Sequence, residues 1–329
     1  MHKSSAVITS IASYLPQKVL TNHDLERLVD TSDEWILSRT GIRERHIAAD
    51  DEFSSSMGAK AAIEALSRAH CSPEEIDLII VSTMTPDFLC PSTAALVQRD
   101  IKATRAGAVD ISAACSGFVY GLSMAKAFIE SSQYSTILLV STEKNSAFID
   151  YTDRNTCVLF GDGASACVIR RGGHGLKIRN TNLGASGEES DLIHIKAGGC
   201  RLPASETSYK DKLHYLQMNG KELFKHAVRR MEEAVNTCLD SAQVSATSLR
   251  WLVPHQANIR IIDALAKRFS IPEDRVVITI DTFANTSSST IPIALEKLQE
   301  EGKIAQNDLI LLTAFGGGLT WGASLLEAI

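Results

Sequence analysis

Short apolar strands alternate with amphipathic helices along this chain, and the alternation runs through twice. That pattern predicts an α/β body on a largely parallel, buried sheet. The segment IDLIIVSTMT (76–85) has a counterpart in LRWLVPHQAN (249–258). The strand, turn and helix of AGAVDISAACSGFVYGL (106–122) have one in VVITIDTFANTSSSTIPIALEKL (276–298). TILLVSTEK followed by FGDGASACVI has one in DLILLTAFGGGLTWGASLLEA. The likeness lies in order and pattern more than in identity, and it divides the chain into two similar halves, 1–174 and 175–329.

Residues 7–15 read as a strand ended by Pro16, and 22–29 and 33–39 as helices started by Asn22 and Asp33. An amphipathic helix over 57–69 feeds a strand at 76–81, and 93–99 forms the helix after the loop TMTPDFLCPST. The polar stretch 184–212 reads as a surface excursion. A long amphipathic helix follows, with Leu216, Leu223, Ala227, Met231, Ala234 and Cys238 facing inward.

With 329 residues, 44% of them apolar, the chain has material for a large core. No stretch reaches the ~18 consecutive apolar residues of a membrane span. The N-terminal apolar run is interrupted by Ser and Thr too early for a signal peptide, so a cytoplasmic location is expected. Seven scattered cysteines without CxxC or Cys/His spacing support neither a disulfide framework nor a metal site. The net charge of −6 argues against general nucleic-acid binding.

Reactive residues stand at the turns. Cys115 falls where a strand passes into a helix, and in a first helical turn the unpaired N–H groups and the dipole favour a thiolate. It reads either as a nucleophile or as a small core residue. Gly117 and Gly121 leave one face of that helix bare for a backbone or a ligand. In the repeat, His255 and Asn285 occupy turns after strands, where α/β ligand sites gather. A neutral imidazole and a carboxamide donate hydrogen bonds to an oxygen that becomes negative, and Gly316–Gly318 bring a backbone N–H close. Taken singly, His255 also reads as a satisfied core histidine and Asn285 as a turn or cap. In TSDEWILSRTGIRERH, Trp35, Arg39, Arg43 and Arg45 suit a flat ring and phosphates, or else form a solvated, salt-bridged face.

Through TSDEWILSRTGIRERHI, DISAACSGF, FGDGA, HQAN, NTSSS and AFGGGLTWG, in that order, the sequence resembles the beta-ketoacyl-acyl carrier protein synthase III family over nearly its whole length. The resemblance implies the thiolase fold, a five-layered α-β-α-β-α sandwich of two similar halves, and a homodimer. It implies an acyltransferase that starts fatty acid synthesis, taking a short acyl group from acyl-CoA and condensing it with malonyl-acyl carrier protein, without metal or redox cofactor. Cys115 then matches the acyl-accepting nucleophile, His255 and Asn285 the decarboxylation pair, and the Cys115 and Gly317 amides the oxyanion hole. Trp35 and Arg154 match the residues that sandwich the CoA adenine, and Thr31, Arg39 and Asn258 belong to the same CoA-binding set. Lys225, Arg229, Arg260, Lys267 and Arg268 form basic helix faces for an acidic carrier protein. Leu89 and Cys90 fall where the partner subunit lines the primer pocket; some members have Phe at the Cys90 place, and the smaller side chain predicts tolerance of primers larger than acetyl.

Four other readings compete. A thiolase needs a second cysteine in the C-terminal glycine-rich loop, and AFGGGLTWG has none. Elongating condensing enzymes carry a second histidine where Asn285 stands. A polyketide- or quinolone-type relative shares the Cys-His-Asn set, and a non-catalytic interaction subunit would not require it.

Overall fold

The structure is a computed structural model describing residues 5–329. Its frame is one nine-stranded sheet. In chain order the strands are β1 (Ala6–Tyr14), β2 (Leu78–Ser82), β3 (Gly107–Ile111), β4 (Thr136–Glu143), β5 (Gly163–Arg171), β6 (Leu176–Ala185), β7 (Trp251–Pro254), β8 (Leu309–Gly316) and β9 (Thr320–Ala328). Side by side they run β7-β8-β9-β6-β1-β5-β4-β2-β3. Only β2–β3, β2–β4 and β7–β8 are parallel pairs. The sheet is therefore mixed, not largely parallel, because short connections such as Gly317–Leu319 between β8 and β9 can join only antiparallel neighbours.

β1 and β6 touch over just two residue pairs, Val7–Lys177 and Ile8–Leu176, so the sheet turns a corner there. Helices fill three layers around the two arms. Outside the β1–β5 arm lie α2 (Ser54–Arg68) and α3 (Thr93–Asp100), which follow the short helix α1 (Asp33–Thr40) in the chain. Between the arms lie α4 (Gly117–Glu130) and α7 (Thr290–Glu300), each touching strands of both. Outside the β6–β9 arm lie α5 (Gly220–Ala242) and α6 (Ile259–Arg268). This gives the α-β-α-β-α order. Helix α4 can sit so deep because a Cβ on Gly117 would lie 1.8 Å from Ser82 Oγ and one on Gly121 2.3 Å from Leu139 Cδ1. Its bare face meets the sheet, not a ligand.

Several elements depart from the expected ones. The 22–29 helix is a single turn, Asn22–Leu25, and α1 starts at its own cap, Ser32, whose hydroxyl accepts the Trp35 N–H, while the Glu26 carboxylate accepts the Asp33 N–H. The strand at 276–280 shrinks to one bridge, Leu252–Val276. There the Gln256 carboxamide stands in for a ladder, donating to the Pro254 and Val277 carbonyls and accepting the Thr279 N–H. β3 lies on the outer edge of the sheet, with Val109 38% exposed, and is not a buried strand. Leu216 is buried but precedes α5. Among the described residues no helix is long and apolar enough to cross a membrane.

Candidate active site

Two short turns meet at the centre of the molecule. Cys115 lies in a 3₁₀ turn, Ala114–Ser116, that leads into α4, and Ser287–Ser289 forms the equivalent turn before α7. Each turn holds a non-glycine residue in the left-handed region, Ala114 at φ 46° and Ser287 at φ 56°. Such strain persists only where packing enforces it, and it aims both turns inward. The Cys115 Sγ donates to Ser287 Oγ at 3.6 Å.

Asn285 precedes this second turn. Its Oδ1 accepts the Ser287 N–H at 2.8 Å, so the carboxamide is fixed with Nδ2 as its remaining donor. The backbone N–H of His255 donates to Thr313 O at 2.8 Å, and its Nδ1 lies 2.6 Å from the Thr290 hydroxyl. Burial holds its imidazole far below the usual range, at about 3, so the ring is neutral.

Cys115, His255, Asn285, Gly316 and Gly317 line one cavity of about 1020 Å³. A Cβ on Gly316 would come within 2.6 Å of the Cys115 nitrogen, so only glycine lets β8 approach that amide. The cysteine does not rest as the thiolate expected from its helix start. Burial pushes its thiol up to about 12, and the charge of Glu143 adds to the rise. Desolvation outweighs the helix dipole here.

Glu143, at the end of β4, is fully buried and linked to Cys115 through the Ser287 hydroxyl. Its Oε1 accepts from Ser287 Oγ and Ser288 Oγ, both at 3.1 Å. Its Oε2 accepts from the Met84 N–H at 3.1 Å and from the Thr85 and Thr83 hydroxyls at 2.8 and 3.3 Å. Burial raises the carboxyl to about 7. Glu143, Ser287 and Thr290 do not stand out in the sequence as site residues. A lone acid closing the apolar run TILLVSTE was the available signal, since a charge at a strand end in an α/β sheet is costly unless used.

Toward the outside the cavity is lined by Arg39, Lys225, Asn258 and Arg260. Trp35 has the guanidinium carbons of Arg39 and Arg154 each 4.7 Å from its ring centroid, and Arg154 also donates to Asp30 O at 2.7 Å. Thr31 Oγ1 is buried without a hydrogen-bond partner. Asn258 caps α6, accepting the Arg260 N–H at 2.9 Å. Lys225, Arg229, Arg260, Lys267 and Arg268 are all exposed. Lys225 pairs with Glu222 and Arg268 with Glu232. Arg45 does not join the Trp35 group: it is wholly buried and donates to Leu20 O, Asn22 Oδ1 and Val158 O. The excursion over 184–212 is more than surface, since its Ile193 also lines the cavity. Leu89, 87% exposed, and Cys90 lie on the loop before α3.

Two family models match: 3-oxoacyl-[acyl-carrier-protein] synthase III over residues 109–187 and its C-terminal part over 239–328. The beta-ketoacyl-[acyl-carrier-protein] synthase III of Chlamydia trachomatis is 50% identical over 98% of this chain and 99% of its own length. The crystal structure of 3-oxoacyl-[acyl-carrier-protein] synthase III from Aquifex aeolicus superposes with a TM-score of 0.91 at 48% identity, covering 98% of this chain and 99% of that one. The priming beta-ketosynthase of the R1128 polyketide pathway superposes equally, TM-score 0.91, at 34% identity, covering 99% of this chain and 97% of that one.

Proposed function

This chain belongs to the 3-oxoacyl-[acyl-carrier-protein] synthase III family, and from that premise we propose that it takes an acyl group from acyl-CoA onto Cys115 and condenses it with malonyl-acyl carrier protein. The convergence of Cys115, His255, Asn285 and Gly317 from separate parts of the chain on one cavity carries the reading. In the first half-reaction the sulfur attacks the thioester carbonyl. The tetrahedral oxygen is held by the Cys115 and Gly317 amides, and CoA leaves. In the second, malonyl-acyl carrier protein loses carbon dioxide, and the enolate oxygen is stabilised by His255 and by Asn285 Nδ2. The enolate carbon then attacks the Cys115 thioester, releasing 3-oxoacyl-acyl carrier protein. A neutral histidine suits this role, because it donates without competing for the proton balance. The chemistry asks for neither a metal nor a redox cofactor.

Trp35, Arg39 and Arg154 offer stacking planes for the adenine, and Thr31 and Asn258 complete that channel. The exposed bases Lys225, Arg229, Arg260, Lys267 and Arg268 receive the acidic carrier protein by charge complementarity. Residues 1–174 and 175–329 form the two halves, the first supplying the nucleophile and the second the decarboxylation pair. We further place the chain in the cytoplasm as a homodimer, in which the exposed Leu89 and Cys90 reach the partner's primer pocket. The higher identity to the fatty acid enzymes favours this activity over polyketide priming.

The test is intact-protein mass spectrometry with a panel of acyl-CoAs. One acyl mass added to the wild type and none to Cys115→Ser is expected; an unmodified wild type would sink the reading. Condensation with malonyl-acyl carrier protein but not with malonyl-CoA separates the carrier-dependent enzyme from a polyketide-type relative. Substantial rates with branched or longer acyl-CoA beside acetyl-CoA are expected from Cys90.

A further inference from the structure

The proposed function leaves one proton unassigned. Cys115 rests as a thiol, so forming the acyl-enzyme requires a group to take its proton; burial makes the His255 imidazole a weak base, and the hydrogen bond of the thiol runs to Ser287 instead. We propose that the thiol proton leaves through the Ser287 hydroxyl to the carboxylate of Glu143, making these residues a buried proton path for the acyl-transfer half-reaction. The geometry carries this. The thiol donates to Ser287 Oγ at 3.6 Å, and that hydroxyl donates to Glu143 Oε1 at 3.1 Å, so both bonds already point toward the acid.

The transfer shifts charge within one buried unit without creating any. As the S–H bond breaks, Ser287 Oγ gains that proton and gives its own to Glu143, which becomes a neutral acid beside a thiolate. The thiolate forms the C–S bond to the acyl carbon, the oxyanion collapses, and the CoA–S bond breaks. The departing CoA thiolate takes the proton back from Glu143 by way of Ser287, which restores the carboxylate. Glu143's neighbours leave this cycle undisturbed: Thr83, Met84, Thr85 and Ser288 are uncharged donors. Lys144 turns its ammonium to the Ala49 and Glu52 carbonyls, and Asp162 bonds Ala48 and Ser146.

The inference rests on acyl-CoA being the donor, and rapid-quench acylation of the full-length protein between pH 5.5 and 9 tests both separately. In the wild type the acylation rate should climb with pH through a value near 7 as Glu143 ionises. Glu143→Gln should acylate on the order of 10²-fold more slowly and lose that limb, with acyl-CoA affinity unchanged. Ser287→Ala should do the same, and Ser287→Gly, which adopts φ 56° without strain and likewise lacks the hydroxyl, should match it in rate and pH profile. If Glu143→Gln does not fold, the Ser287 pair decides. Wild-type rates in Glu143→Gln or Ser287→Ala, or slower rates with the wild-type pH profile, would overturn the path alone. A wild type that takes no acyl group would overturn the function and the path together.

Discussion

Thr290 has one hydroxyl proton and two acceptors in reach, His255 Nδ1 at 2.6 Å and Ser287 O at 3.1 Å. When the hydroxyl proton goes to the ring and not to Ser287 O, the imidazole hydrogen is left on Nε2, where an enolate oxygen can use it. Thr290→Val should therefore slow carbon dioxide release from malonyl-acyl carrier protein about 10- to 100-fold, more than it slows acylation, measured by separate half-reaction assays. The same site sets opposite pH dependences. His255 falls from the usual 6.5 to about 3, so between those values the unfolded chain binds more protons and stability drops as pH falls, by about 1.4 kcal/mol per unit at most. Glu143 rises from 4.5 to about 7, so the folded chain binds more protons across that window and stability drops as pH rises. Urea unfolding at pH 5 and pH 7 resolves the two. Relative to wild type, His255→Asn should gain at the lower pH and Glu143→Gln at the higher.

The helix that follows Cys115 is positioned by what it lacks. A Cβ on Gly117 meets Ser82 Oγ at 1.8 Å and Ser82 Cβ at 3.0 Å, so Gly117→Ala has to move α4 or β2. A cost of about 1–3 kcal/mol in urea unfolding is expected, partly recovered in a Ser82→Gly background, with acylation slowed because Cys115 moves with the helix. At this scale much of the molecule was legible. Apolar periodicity located α2, α4, α5 and β4, and turn chemistry located Cys115, His255 and Asn285, because those signals are local. What escaped depends on partners distant in the chain. Gln256 replaces a strand only because Val277 and Thr279 arrive beside it, and Arg45 leaves its surface cluster because Leu20, Asn22 and the distant Val158 offer oxygens to its guanidinium. Glu143 is intelligible only once α7's entry turn lies against it. Cys115 stays a thiol despite the helix start for a like reason: the depth of burial is a property of the finished fold.

The two ends of the nine-stranded sheet are finished differently. At one end β7 is buried along its whole length; at the other β3 shows Val109 and leaves a row of backbone groups without a neighbouring strand among the described residues. An uncovered edge of this kind is a template for pairing with another chain. Leu89, 87% exposed, and Phe88, 57% exposed, add apolar surface on the loop after β2, the neighbouring strand, and burying all of it against a second copy is the ordinary remedy. For the homodimer proposed above we expect β3 to pair with the β3 of its partner, which would extend each sheet and carry each 88–90 loop toward the other subunit. Val109→Lys places like charges near the two-fold axis, where they repel and cost several kcal/mol. Sedimentation should then give a monomer of about half the wild-type mass, still able to bind acyl-CoA through Trp35 and Arg39 but with its primer selection changed, since the selecting loop comes from the other chain. A wild type that sediments at 35.7 kDa would show that β3 is left bare in solution, and Cys90 would then have no part in choosing the primer.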